Sequence, residues 1–127
     1  MKKLLIVEDE KILMEMYLAK LNKQGLDIFS EVSAEQGLAT AKKEKPDLIL
    51  LDILLPMGSG IDLLEKIRKD ESIKDAKVLV FSNYDEPDTR ARAIQLGAID
   101  YLIKTNYTSN QIAAIIDNIL KYDKNTN

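Results

Sequence analysis

Short apolar runs alternate with stretches of helical periodicity along the whole chain. The runs are Lys3 to Val7, Asp27 to Val32, Asp47 to Asp52, Lys77 to Phe81 and Ile99 to Ile103. Each has the length of a strand, and each is followed by a segment whose apolar residues recur at three- and four-residue steps. The last such segment is the clearest, with Ile112, Ile115, Ile116, Ile119 and Leu120 on one stripe. Thr108 with Gln111 stands at its start in the spacing of a capping box. Ser33 with Gln36 repeats that spacing ahead of Ala34, Gly37, Leu38 and Ala41. Asp85-Glu86-Pro87-Asp88 brings acids and a first-turn proline to a fourth helix, which Gly97 is placed to end.

Five strand–helix pairs in strict alternation predict an α/β fold. Right-handed crossovers then give a doubly wound parallel sheet of five strands with helices on both faces. The first, third and fourth strands are apolar almost throughout, as strands covered on both faces should be. The second begins at Asp27 and carries Ser30 and Glu31, so it is expected at an edge. No linker or repeat divides the chain: residues 1–121 read as one domain and 122–127 as a polar, fraying tail.

Composition narrows the chemistry more than the fold. The 127 residues suit a single core, and 31% charged with 46% hydrophobic residues is ordinary for a water-soluble globule. The longest apolar runs are too short to cross a bilayer. Glu8-Asp9-Glu10 interrupts the apolar start before it could serve as a signal segment, so a cytoplasmic location is expected. Cysteine and histidine are both absent. That excludes disulfides, thiol nucleophiles, Ser-His catalysis, zinc sites of the usual ligands and phosphohistidine. A net charge of -3 argues against a direct grip on nucleic acid.

In open α/β sheets, ligands bind beyond the carboxyl ends of the strands. There the first strand ends in Glu8-Asp9, the third in Asp52, the fourth in Ser82 and the fifth in Lys104. Each residue alone has an ordinary reading: a helix cap for Glu8-Asp9, a turn former for Asp52, a local cap for Ser82 and a solvated cation for Lys104. Together they bring three carboxylates, a hydroxyl and an ammonium to one edge. Crowded carboxylates raise one another's proton affinity, and a hard divalent cation relieves the conflict. An all-oxygen set fits magnesium, with manganese as its substitute, rather than zinc or copper. Aspartate is a nucleophile toward phosphoryl groups, and Lys104 and Ser82 would cover the oxygens of the transferred group.

With those residues in view, the chain resembles the receiver domain of two-component response regulators. The motifs that carry the resemblance are Leu5-Ile6-Val7-Glu8-Asp9-Glu10, Pro46-Asp47-Leu48-Ile49-Leu50-Leu51-Asp52-Ile53-Leu54-Leu55-Pro56, Gly60, Val80-Phe81-Ser82, Gly97-Ala98 and Asp100-Tyr101-Leu102-Ile103-Lys104. The resemblance implies a flavodoxin-like (βα)5 sheet in the order 2-1-3-4-5. It also implies that Asp52 is the phosphoacceptor and that Glu8 and Asp9 position magnesium. The backbone carbonyl of Leu54 would be a further metal ligand. Ser82 would turn toward the phosphoryl group, Lys104 would pair with it, and Tyr101 would be an aromatic switch that moves inward. A histidine kinase or histidine-phosphotransfer protein would donate the phosphoryl group. A downstream protein, or a second copy after phosphorylation, would bind the face of the fourth helix, fifth strand and fifth helix. Arg90, Arg92, Gln95, Tyr101, Tyr107 and Gln111 are its candidates. Such a domain catalyses only its own phosphorylation and dephosphorylation, and contacts neither nucleic acid nor membrane.

The chain departs from the family pattern in three places. Thr105 follows Lys104 where the family usually has proline. Met57-Gly58-Ser59-Gly60 is expected to loosen the loop after Pro56, and Asn83 replaces a small residue after Ser82. Thr105 and the loosened loop after Pro56 keep open a pseudo-receiver that binds partners without phosphorylation. An aspartyl-nucleophile phosphatase of the dehalogenase-like class would need a second Asp where Leu54 stands. A nucleotide-binding module would need a glycine-rich loop that does not follow the first strand.

Overall fold

The computed structural model describes residues 1–21 and 25–121; the expected tail at 122–127 lies outside the described residues. Its elements are β1 (Lys2–Val7), α1 (Lys11–Lys20), β2 (Leu26–Glu31), α2 (Ala34–Glu44), β3 (Leu48–Leu51), β4 (Leu54–Leu55), β5 (Gly58–Ser59), α3 (Gly60–Lys69), β6 (Lys77–Ser82), α4 (Pro87–Gln95), β7 (Asp100–Ile103) and α5 (Ser109–Lys121). The main sheet runs β2-β1-β3-β6-β7, parallel throughout. Because β4 and β5 form a separate two-stranded hairpin, this is the expected order 2-1-3-4-5 of a flavodoxin-like sheet.

Strand alternation divides the core into two layers. Leu5, Val7, Ile49, Leu51, Val78, Val80 and Tyr101 point to one face, against Ala41 of α2, Leu63, Leu64 and Ile67 of α3, and Ala93 of α4. Leu4, Ile6, Leu48, Leu50, Leu79, Phe81 and Leu102 point to the other, against Met14 and Tyr17 of α1 and Ile112, Ala113, Ile116 and Leu120 of α5. Successive residues of β1, β3 and β6 thus belong to opposite layers, which is why these strands carry no polar face. Burying each large aliphatic side chain contributes about 1.5–3 kcal/mol. The less buried β2 lies at one edge, as its polar residues require.

The helix boundaries follow the caps read from sequence. Ser33 Oγ accepts from Gln36 N at 3.2 Å. Thr108 and Gln111 form the complete reciprocal box, with Thr108 N donating to Gln111 Oε1 at 2.8 Å and Gln111 N to Thr108 Oγ1 at 3.1 Å. Pro87 opens α4, and Gly97, at φ 81, closes it in the left-handed region.

Candidate functional site

The parallel ladders deliver the polar residues to one edge together. Val7 is in register with Leu51, Leu51 with Val80, and Ser82 with Ile103. Asp52 N continues the pairing by donating to Val7 O at 3.1 Å, which sets Asp52 beside the start of the Glu8 segment. Glu8, Asp52 and Lys104 directly follow β1, β3 and β7, and Ser82 ends β6, so the four lie along one edge of the sheet. Among the described residues, the buried polar or charged side chains are Glu8, Asp52, Ser82 and Lys104, and no others.

Lys104 is the hub of this cluster. Its Nζ donates to Asp52 Oδ2 at 2.8 Å and makes a short ion pair with Glu8 Oε1. The remaining carboxylate oxygens are also engaged: Leu54 N donates to Asp52 Oδ1 at 3.2 Å and Glu10 N to Glu8 Oε2 at 3.1 Å. Burial pushes the Glu8 acid up to about 7, and the hydrogen bond from Lys104 does not fully reverse it. Burial alone would push the Lys104 ammonium down, yet the hydrogen bonds and charges of Asp52 and Glu8 raise it above the usual lysine range. One cation shared between two buried acids offsets the burial of Glu8 only in part.

Asp9 is exposed, but its carboxylate completes a triad. Oxygen atoms of Glu8, Asp9 and Asp52 all lie within 4.8 Å of one another. Three carboxylates with no nitrogen or sulfur donor fit a hard divalent cation such as magnesium or manganese.

The loop after β6 is tied at several points. Ser82 Oγ accepts from Tyr84 N at 3.2 Å. The Tyr101 hydroxyl donates in turn to the Tyr84 carbonyl through a short bond. The Tyr101 ring is buried, at 3% exposure, beneath the Arg90 guanidinium, 5.1 Å from the ring centroid. Arg90 also pairs with Asp85 at 2.7 Å. Of the other residues expected on this face, Arg92 pairs with Glu65 of α3 at 3.4 Å, and Gln111 is spent on the cap of α5.

The Met57-Gly58-Ser59-Gly60 segment is not loosened, contrary to the expectation from its glycines. Leu54–Leu55 and Gly58–Ser59 pair as a hairpin, and Ser59 Oγ caps α3 by accepting from Ile61 N at 3.1 Å. Gly60 N donates to Ile53 O at 2.8 Å, and a Cβ there would come within 2.2 Å of the Asp52 carbonyl oxygen. The glycine is needed for this close approach, which braces the backbone of Asp52. From the sequence, Asn83 stands out only as a larger side chain where a small one is expected. Its Oδ1 in fact accepts from Thr105 N at 3.1 Å, a contact between residues 22 positions apart that no local pattern signals.

A model of the response regulator receiver domain family matches residues 4–117. Over 120 residues the chain is 32% identical to the phosphate regulon transcriptional regulatory protein PhoB of Pseudomonas aeruginosa, across 94% of this chain and 52% of that protein. It is 31% identical to the alkaline phosphatase synthesis transcriptional regulatory protein PhoP of Bacillus subtilis, across 94% and 49% respectively. The chain spans about half the length of the curated relatives it matches. The crystal structure of a CheY-like response regulator receiver domain protein from Methanospirillum hungatei superposes with a TM-score of 0.87 at 25% identity, covering 100% of this chain and 99% of that one.

Proposed function

The chain belongs to the response regulator receiver domain family, and from that premise we propose that Asp52 accepts the phosphoryl group that drives its switch. The observation that supports this most directly is the Asp52 carboxylate, buried to 6% exposure with Lys104 Nζ 2.8 Å from Oδ2. An Asp52 oxygen attacks phosphorus and forms the new P–O bond. The bond from phosphorus to the donor atom breaks, and its electron pair leaves with the donor. Lys104, already beside the nucleophile, is placed to pair with the incoming phosphoryl oxygens, where a positioned cation contributes most. Ser82, freed from Tyr84 N, would donate its hydroxyl to a second oxygen. Glu8, Asp9, Asp52 and the Leu54 carbonyl would hold magnesium, which neutralises the charge of the transferred group.

The readout runs through the same loop. When Ser82 turns to the phosphoryl group, Tyr84 N loses its acceptor, and the Tyr84 carbonyl, held by Tyr101, moves with it. That couples phosphorylation to the packing of α4, β7 and α5. A histidine kinase or histidine-phosphotransfer protein supplies the phosphoryl group, since this chain has no histidine of its own. A downstream protein, or a second copy of the chain, reads the altered face; the acidic net charge favours such contacts over nucleic acid. No described helix is long and apolar enough to cross a membrane, and a cytoplasmic signalling role is part of this reading. Nothing in the geometry favours the phosphorylation-independent alternative, because the whole polar cluster is assembled.

Incubation with magnesium and a small acyl phosphate, followed by mass spectrometry, tests the assignment. One phosphoryl group per chain is expected in the native sequence and none in Asp52→Asn. Equal labelling of both would sink it.

A further inference from the structure

The position of the Lys104 ammonium depends on backbone that has just left the sheet. The ladder between β6 and β7 ends at Ser82↔Ile103, so Lys104 is the first residue beyond it. Lys104–Asn106 form a single 3-10 turn, closed by Tyr107 N donating to Lys104 O at 3.2 Å. One such turn has weaker hydrogen-bond geometry than a ladder or a longer helix and fixes its first residue poorly. The next amide, Thr105 N–H, points instead to the Asn83 side chain, which accepts from it at 3.1 Å. Both polar ends of the Lys104–Thr105 peptide are thereby held, its carbonyl oxygen by Tyr107 N and its N–H by the Asn83 side chain.

Asn83 follows Ser82 directly, so its bond spans the two segments that carry the hydroxyl and the ammonium. The loop has two other ties: the bond between Tyr84 N and Ser82 Oγ, and the bond from Tyr101 to the Tyr84 carbonyl. The first is given up if Ser82 turns. The Asn83 bond does not involve Ser82 Oγ and survives that turn. Deepening the reading of Asp52 as phosphoacceptor, we infer that Asn83 is a positioning residue for Lys104: its bond to Thr105 N–H fixes the ammonium against Asp52 and makes the Ser82 loop and Lys104 move as one body. Asn83 does not touch the reacting atoms and acts only through the Thr105 peptide. Both residues are exposed, so the bond competes with water and its loss leaves the fold intact.

The test compares the native chain with Asn83→Ala by three readouts. Asn83→Ala is expected to speed hydrogen exchange at the Thr105 amide and to shift the Lys104 side-chain ammonium resonance. It should slow labelling by acetyl phosphate about two- to tenfold, the worth of one ordinary hydrogen bond. Magnesium affinity should not change, because Glu8, Asp9 and Asp52 are untouched; a general loosening of the site would lower it along with the rate. In a Thr105→Pro background, which has no amide hydrogen to donate, Asn83→Ala should have no further effect on rate. An unchanged ammonium resonance, or a full second loss in the Thr105→Pro background, overturns the inference. If the native chain takes no label at all, the assignment of Asp52 fails instead, and the Lys104 resonance alone still decides the role of Asn83.

Discussion

Two cations sit at opposite edges of the sheet, and their surroundings separate a part of the molecule that holds the fold from the part proposed to react. At the edge where the strands begin, Arg68 of α3 donates to four main-chain carbonyls: Leu96 at 2.6 Å, Ala76 at 2.6 Å, Lys74 at 2.9 Å and Gly97 at 3.2 Å. It thereby ties the end of α4 to the loop that feeds β6. At the edge where the strands end, Lys104 donates to two carboxylates. Burial pushes the Arg68 guanidinium below its ordinary value, since its partners are neutral dipoles and Asp75 restores only part of the loss. Lys104 goes the other way because its partners are anions. A planar guanidinium satisfies several carbonyls at once and stays charged regardless. A compact ammonium between two acids is a charge balance that an incoming phosphoryl group or metal ion can alter.

The comparison breaks most sharply at Lys104. Lys104→Met should lower the rate of phosphoryl acceptance by about 10²–10³-fold, the usual cost of removing one electrostatic stabiliser of a transition state. The same variant should be destabilised without metal near neutral pH and recover with magnesium, because the ion replaces the missing positive charge. Thermal melts with magnesium and with chelator check both parts. A labelling rate within a factor of two of the native chain would put Lys104 outside the chemistry.

Arg68→Met should give the opposite pattern. Loss of its carbonyl contacts should cost about 2 kcal/mol, allowing for water to satisfy the more exposed carbonyls. Denaturant unfolding would measure this, and magnesium should not restore it. The labelling rate, corrected for the folded fraction, should stay near the native value.

The smallest effect is a pH dependence confined to the carboxyl edge. Glu8 has a folded pKa near 7 against an unfolded 4.5, so folding favours its protonated form. Its contribution to metal-free stability is fully present below about 4.5 and is lost as pH rises through 7. Magnesium needs the ionised acid, so the stabilisation it gives should be larger at pH 8 than at pH 5.5. Melts in chelator and in magnesium at the two values would show it. Glu8→Gln should flatten the dependence, and Arg68→Met should leave it unchanged.

Much of this was readable from the chain alone, for local reasons. An unbroken apolar run such as Leu48 to Leu51, short and set between polar segments, suits a strand covered on both sides, and Thr108 with Gln111 can cap a helix without outside help. Once the alternation implies a parallel sheet, the residues at the strand ends must lie on one edge, so Glu8, Asp9, Asp52, Ser82 and Lys104 could be placed there without coordinates. Tertiary structure alone decided how that edge is wired. It buried Glu8 and left Asp9 in solvent, although the two are neighbours in sequence. It turned Met57-Gly58-Ser59-Gly60 from an expected slack loop into a hairpin that braces Asp52. It also brought Lys104 to an acid 52 positions away and Arg68 to a carbonyl 28 positions away. Patterning is set by which face a residue must bury, and that is written in its neighbours along the chain. A shared proton or a bridging cation depends on distances between segments that only the packed sheet fixes.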